Sequence, residues 1–110
     1  MSPFQGDVWL ADLGLSAKTR PVIIVSRNDD EPPRDLFVYV PCTTQNRVSK
    51  YEVVLAKYHF LTDQSIANVQ GIGSLPGPRL IRRLGRLNDV DFKSILNAIL
   101  FLFNIPDEGK

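Results

Sequence analysis

Six short segments rich in β-branched and aromatic residues, each bounded by turn formers, precede one segment whose apolar residues recur at helical spacing. Together they predict a mostly β protein with a C-terminal helix, folded as a small, mostly antiparallel barrel or strongly bent sheet. At 110 residues the chain is long enough for a core without disulfides or metals, and it reads as one domain over residues 1–110.

The first strand is expected over residues 6–13 (GDVWLADL), apolar on both faces and ended by Gly14. Residues 20–25 (RPVIIV) form the plainest strand, and Pro21 holds Arg20 in an extended conformation. The third strand, residues 36–42, follows the turn-like DDEPP and should lie mid-sheet. It turns polar after Pro41, so a rigid strand delivers Thr43, Thr44 and Gln45 to a sheet margin where a polar ligand can be met. A polar loop with Arg47 and Lys50 leads to strands over 51–56 and 65–70. The Gly- and Pro-rich stretch 71–78 reads as a break, and 80–87 (LIRRLGRL) as a sixth, basic strand. From Asn88, an N-cap with Asp91 three residues on, Phe92, Ile95, Leu96, Ile99 and Phe103 fall on one helical face, and Pro106 closes the helix. Leu100, Phe101 and Leu102 spread beyond that stripe, which points to deep burial or to a second subunit.

Composition narrows the function. The single cysteine, Cys42, leaves no internal disulfide and no Cys-based zinc cluster, in keeping with a reducing cytosol, and the single histidine, His59, leaves no His-rich metal site. Thirteen basic against twelve acidic side chains give a net charge of +1, so any anion site must be local. A signal-peptide pattern and an apolar run near the membrane-spanning length are both missing from the sequence, and the expectation is a soluble, cytoplasmic protein.

Taken singly, the candidate residues have plain explanations. An arginine before a proline at a strand start is usually solvated or salt-bridged, and Thr-Thr-Gln after a strand is most often turn chemistry. Trp9 and Cys42 read as core, and His59 as a partly buried structural histidine. Arg79, Arg82, Arg83 and Arg86 form either a solvated edge that discourages aggregation or a phosphate-contacting patch.

In order along the chain, GDVWLADLG, TRPVIIVSRN, VYVPCTTQ and YEVVL resemble the MazF/PemK (Kid) family of toxin ribonucleases from bacterial toxin–antitoxin systems. The similarity covers about residues 6–70, with 80–103 alike in general character. It implies an SH3-like β-barrel with a C-terminal helix, a homodimer with single-stranded RNA in grooves flanking its interface, and a cognate antitoxin whose acidic, extended segment silences it. The implied activity is cofactor-free and metal-independent cleavage at short RNA sequences, leaving 2′,3′-cyclic phosphate and 5′-hydroxyl ends. The resemblance makes Arg20 and Thr43 catalytic and puts Thr44, Gln45, Lys18, Arg47 and Gln70 at the RNA. The chain departs from the family in two places. Residues 14–19 hold no acidic side chain where some members carry a glutamate, and of an acidic-Gln-aliphatic-basic patch after the fifth strand only Gln70 is kept.

The chemistry is coherent. The 2′-hydroxyl of RNA is its own nucleophile, so the protein must hold an in-line geometry and neutralise the phosphorane. A guanidinium does the second with a planar, permanently charged fork, and a threonine hydroxyl adds a donor. Neither is an apt general base, and His59, the reflex candidate, lies outside the matched motifs. Two alternatives use the same barrel: a non-enzymatic toxin that binds a protein such as DNA gyrase, as the related CcdB toxins do, and a plain SH3-like adaptor. The Arg-Pro and Thr-Thr-Gln pair argues against the first, and the lack of clustered loop aromatics against the second.

Overall fold

The computed structural model describes residues 2–14, 19–62 and 64–106. Within them the chain forms β1 (Asp7–Asp12), β2 (Thr19–Ile24), β3 (Leu36–Thr43), β4 (Glu52–Val54) and β5 (Ile66–Asn68). A 3₁₀ turn (Val69–Gly71), β6 (Gly73–Pro76), a second 3₁₀ turn (Gly77–Arg79), β7 (Leu80–Arg86) and α1 (Asp89–Leu102) complete it. The strands pair antiparallel in the order β4-β5-β3-β2-β1-β7, with β6 on β3. The result is the expected mostly antiparallel, barrel-like sheet with a C-terminal helix.

β3 is the hub. It pairs with β2 along one edge and, on the other, first with β6 through Leu36 to Tyr39 and then with β5 through Cys42 and Thr43. Pro41, with no N–H to give, sits where the strand passes from one neighbour to the next. Gly71 lies so close that a Cβ there would be 2.8 Å from Pro41 Cγ, which ties the end of β3 to the 3₁₀ turn after β5. The sequence pattern missed β6, because Gly and Pro have low strand propensity. Pairing makes the strand: Leu75 stands opposite Phe37 and is buried, and Pro76 ends a strand whose other edge has no neighbour among the described residues.

β1 and β2 are covered on both faces, as their unbroken apolar runs require. Val8, Ile23 and Val25 join Val40, Cys42, Leu55, Ala67, Val69, Leu87, Ile95 and Ala98 in one core. The alternate residues Trp9, Ala11, Val22 and Ile24 pack with Leu75 and Leu80 in a second. The register Val8↔Ile23 and Trp9↔Val22 keeps like faces together, so a slip of one residue would exchange the two cores. Fully buried Asp7 accepts from Phe4 N–H (2.8 Å) and, weakly, from Trp9 Nε1–H (3.4 Å) through Oδ2.

α1 begins as predicted at Asn88, whose Oδ1 accepts from Asp91 N–H at 2.7 Å. The Asp91 carboxylate does not return that bond. Its Oδ2 accepts from Ala56 N–H (2.9 Å) and Tyr58 O–H (2.7 Å), while Asn88 N–H donates to the Tyr58 oxygen (3.0 Å). This ring of bonds moors the chain after β4 to the helix start. Desolvation, offset by the Asn88 amide and reinforced by Asp91, pushes the Tyr58 hydroxyl up to about 12.

The helix ends before Pro106, through a Schellman motif. Asn104 takes a positive φ of 58°, its N–H donates to Phe101 O, and Ile105 N–H donates to Leu100 O. His59 is exposed rather than partly buried, set edge-on to Phe60 with ring centroids 5.3 Å apart. Phe60 takes the inward position, against the bare backbone of Gly85, where a Cβ would collide with its ring.

Candidate active site

Arg20 and Thr43 come from neighbouring strands. β2 and β3 are paired from Ile24 opposite Tyr39 to Val22 opposite Pro41, and Arg20 and Thr43 each lie two residues beyond that last pair. Both line a cleft of about 280 Å³ together with Thr19, Pro21, Cys42, Thr44, Thr62 and Ser65. Arg20 is half-buried, and among the described residues its side chain makes no hydrogen bond or ion pair. Its charge is felt by the buried Cys42 thiol, but burial dominates and pushes that thiol up to about 12. Cys42 is therefore protonated at neutral pH, a core filler and not a nucleophile.

The Thr43 hydroxyl accepts from Gln45 N–H at 3.2 Å, the turn chemistry that its sequence suggests. That bond uses a lone pair and leaves the hydroxyl proton to donate into the cleft. Thr62 and Ser65 escaped the sequence reading because nothing local marks them. Ser65 Oγ–H donates to Thr62 O at 2.8 Å, which links the two cleft residues ahead of β5.

A second cleft of about 320 Å³ adjoins the first, with Thr43 lining both. It gathers Gln45, Arg47, Glu52, Asn68, Gln70 and Gly71. Of the other sequence candidates, Thr44 thus falls in the first cleft, Gln45, Arg47 and Gln70 in the second, and Lys18 outside the described residues. Glu52, at the start of β4, organises the loop between the strands. Its Oε1 accepts from Ser49 N–H and Oγ–H (both 3.2 Å) and its Oε2 from Arg47 N–H (3.3 Å). Glu52 was legible only as the charged second member of YEVVL. His59 lines neither cleft.

The basic strand β7 is largely committed elsewhere. Arg83 Nε and Arg86 Nη1 lie 3.3 and 3.1 Å from Asp7 Oδ1, and Arg79 Nη1 lies 3.9 Å from Asp12 Oδ1 and donates to its carbonyl at 3.3 Å. Of the two explanations for these arginines, neither a plainly solvated edge nor an unpaired phosphate patch describes Arg83 and Arg86. They neutralise a buried carboxylate.

A barrel-like antiparallel sheet with a C-terminal helix is the fold of solved bacterial toxin endoribonucleases. The chain belongs to the PemK-like, MazF-like toxins of type II toxin–antitoxin systems, a family whose pattern matches residues 4–103. It is 32% identical over 98 residues to the probable endoribonuclease MazF5 of Mycobacterium tuberculosis, covering 88% of this chain and 89% of that protein. An endoribonuclease from a mycobacterial species, solved in complex with its cognate antitoxin, superposes with a TM-score of 0.84 at 25% identity, over 96% of this chain and 99% of that one. The MazE–MazF complex of Deinococcus radiodurans gives 0.81 at 15% identity over 96% and 99%, a likeness of fold alone. Among the described residues no helix is long and apolar enough to cross a membrane.

Proposed function

We propose that this chain is a one-domain, cytoplasmic toxin that cuts single-stranded RNA without a metal ion, with Arg20 and Thr43 as its catalytic residues. The observation that carries this reading is the meeting of a half-buried arginine and a threonine hydroxyl in one cleft. The RNA 2′-oxygen attacks the adjacent phosphorus and the P–O5′ bond breaks. The 2′-hydroxyl proton leaves to water in the open cleft, and the 5′-oxygen takes one up, so the products are a 2′,3′-cyclic phosphate and a 5′-hydroxyl. Arg20 grips the non-bridging oxygens as charge builds on them, and Thr43 O–H donates to the same phosphorane. Thr44, Gln45, Arg47 and Gln70 hold the flanking nucleotides. Glu52 is the one carboxylate among the described residues lining the two clefts, and its oxygens are taken up by the loop it organises.

The test is incubation of purified protein with long single-stranded RNA in chelator, with chemical mapping of both new ends. Wild type is expected to leave cyclic-phosphate ends, and Thr43→Val to cut about a hundredfold more slowly, the usual effect of losing one pre-aimed donor. Intact RNA across many sequences, or 3′-hydroxyl ends, would sink the proposal.

A cognate antitoxin is the expected partner, as for the mycobacterial endoribonuclease solved with its own. A homodimer is supported by the apolar end of α1, where Phe101, Phe103 and Ile105 are exposed. Sedimentation at micromolar concentration is expected to give twice the chain mass, and monomer alone would remove the dimer.

A further inference from the structure

We propose that the second cleft is a base-reading subsite beside the cut, and that Arg47 fixes its polarity by locking the Gln45 carboxamide. This rests on the ribonuclease reading and adds to it how a sequence would be chosen.

The position follows from Thr43, which lines both clefts, so a nucleotide neighbouring the reacting phosphate falls into the second one. The lining says what is bound there. Gln45, Asn68 and Gln70 bring carboxamides, each with donors and an acceptor, and Glu52 adds a carboxylate. Arg47 and Glu52 offset each other's charge in this lining, so nothing there favours a phosphate, whereas the edge of an unstacked base, an alternation of donors and acceptors, matches carboxamides well.

Polarity follows from one bond. Arg47 Nη2–H donates to Gln45 Oε1 at 3.1 Å, which fixes the amide with its oxygen toward the guanidinium and leaves Nε2 as its free donor end. Arg47 is held in turn through its backbone, since its N–H donates to Glu52 Oε2 at 3.3 Å. Glu52 also takes two bonds from Ser49, so the loop closes around one carboxylate. A side-chain amide free to rotate would accept or donate and would discriminate poorly. One whose oxygen is held by a guanidinium keeps its Nε2–H donors at a set place, favours an acceptor on the base there and disfavours a base that offers a donor. Gln45 is thus a specificity-determining residue and Arg47 a positioning residue.

The test is digestion of a randomised single-stranded RNA pool by wild type, Gln45→Glu, Arg47→Met and, as a blank, Arg20→Ala, with sequencing of the cut ends and thermal melts of each protein. Gln45→Glu replaces the donor by an acceptor and is expected to change which base is preferred at one position next to the cut. Arg47→Met frees the amide and is expected to flatten the preference at that same position by about tenfold, within the range set by base-edge hydrogen bonds. An unchanged base profile in both variants, or loss of all cutting by variants that melt like wild type, would overturn the inference and leave the nuclease standing. If wild type cuts nothing, the nuclease reading fails instead. Retention of the same pool on immobilised protein then decides the base reading, which falls if wild type and Gln45→Glu enrich the same bases.

Discussion

Replacing Arg20 by alanine is expected to lower RNA cleavage by about a thousandfold, the largest effect on activity of any single change in this chain. Among the described residues the guanidinium is the one cation lining the cleft that Thr43 shares with Cys42 and Thr44, so its loss leaves the phosphorane charge there to neutral hydroxyls. Arg20→Lys should recover only a small part of the rate, because an ammonium supplies charge without the planar fork that grips two oxygens. Stability should change by no more than about 0.5 kcal/mol, since among the described residues no hydrogen bond or ion pair of the fold uses the Arg20 side chain. The check is a single-turnover rate on one cleavable RNA beside a thermal melt of each variant. Equal cutting by wild type and Arg20→Ala would place the chemistry elsewhere.

The largest effect on stability is expected at Asp7. This carboxylate, 1% exposed, sits under the β1–β7 pair, accepts from Arg86, the Phe4 amide and the Trp9 indole, and is ion-paired with Arg83 as well. Asp7→Ala leaves those donors unmatched. Phe4 N–H and Trp9 Nε1–H lose their acceptor inside the fold, while Arg83 and Arg86, 41% and 54% exposed, can turn to water. Breaking a buried pair costs about 3–5 kcal/mol, and the ability of the arginines to rehydrate brings the expectation down to about 2–3 kcal/mol. In a chain of this size that is a fall in Tm of roughly 10 °C. Calorimetry of Asp7→Ala checks it. The double variant Arg83→Gln, Arg86→Gln should also melt early, because it strands a buried charge, and wild-type stability in either protein would show that the cluster does not hold β7 to β1.

This cluster also shows where reading residues in order reaches its limit. In sequence, Asp7 is one acidic residue before a strand and Arg83 and Arg86 belong to a basic run 76 and more residues away. A solvated charge and a buried, paired one are the same letter. Only the β1–β7 register, with Asp7 opposite Arg86, brings them together. His59 and Phe60 make the same point: adjacent aromatic rings of similar apparent fitness for the core, one of which is turned inward because Gly85 leaves room for it.

What the sequence determined by itself is whatever depends on neighbours along the chain. The β-branched runs of β1, β2 and β3, the 3.6-residue period of α1, the Asn88 cap and the pairing of an Arg-Pro strand start with Thr-Thr-Gln are local patterns, and the structure carries each of them. What only the tertiary structure decided is whatever depends on partners far along it. Strand β6 exists because β3 offers it an edge, Asp91 serves Ala56 and Tyr58 instead of its own cap, and Thr62 and Ser65 join Arg20 in one cleft. Propensity acts over a few residues, whereas hydrogen-bond pairing and burial are settled by which strands meet, and that is a property of the folded chain as a whole.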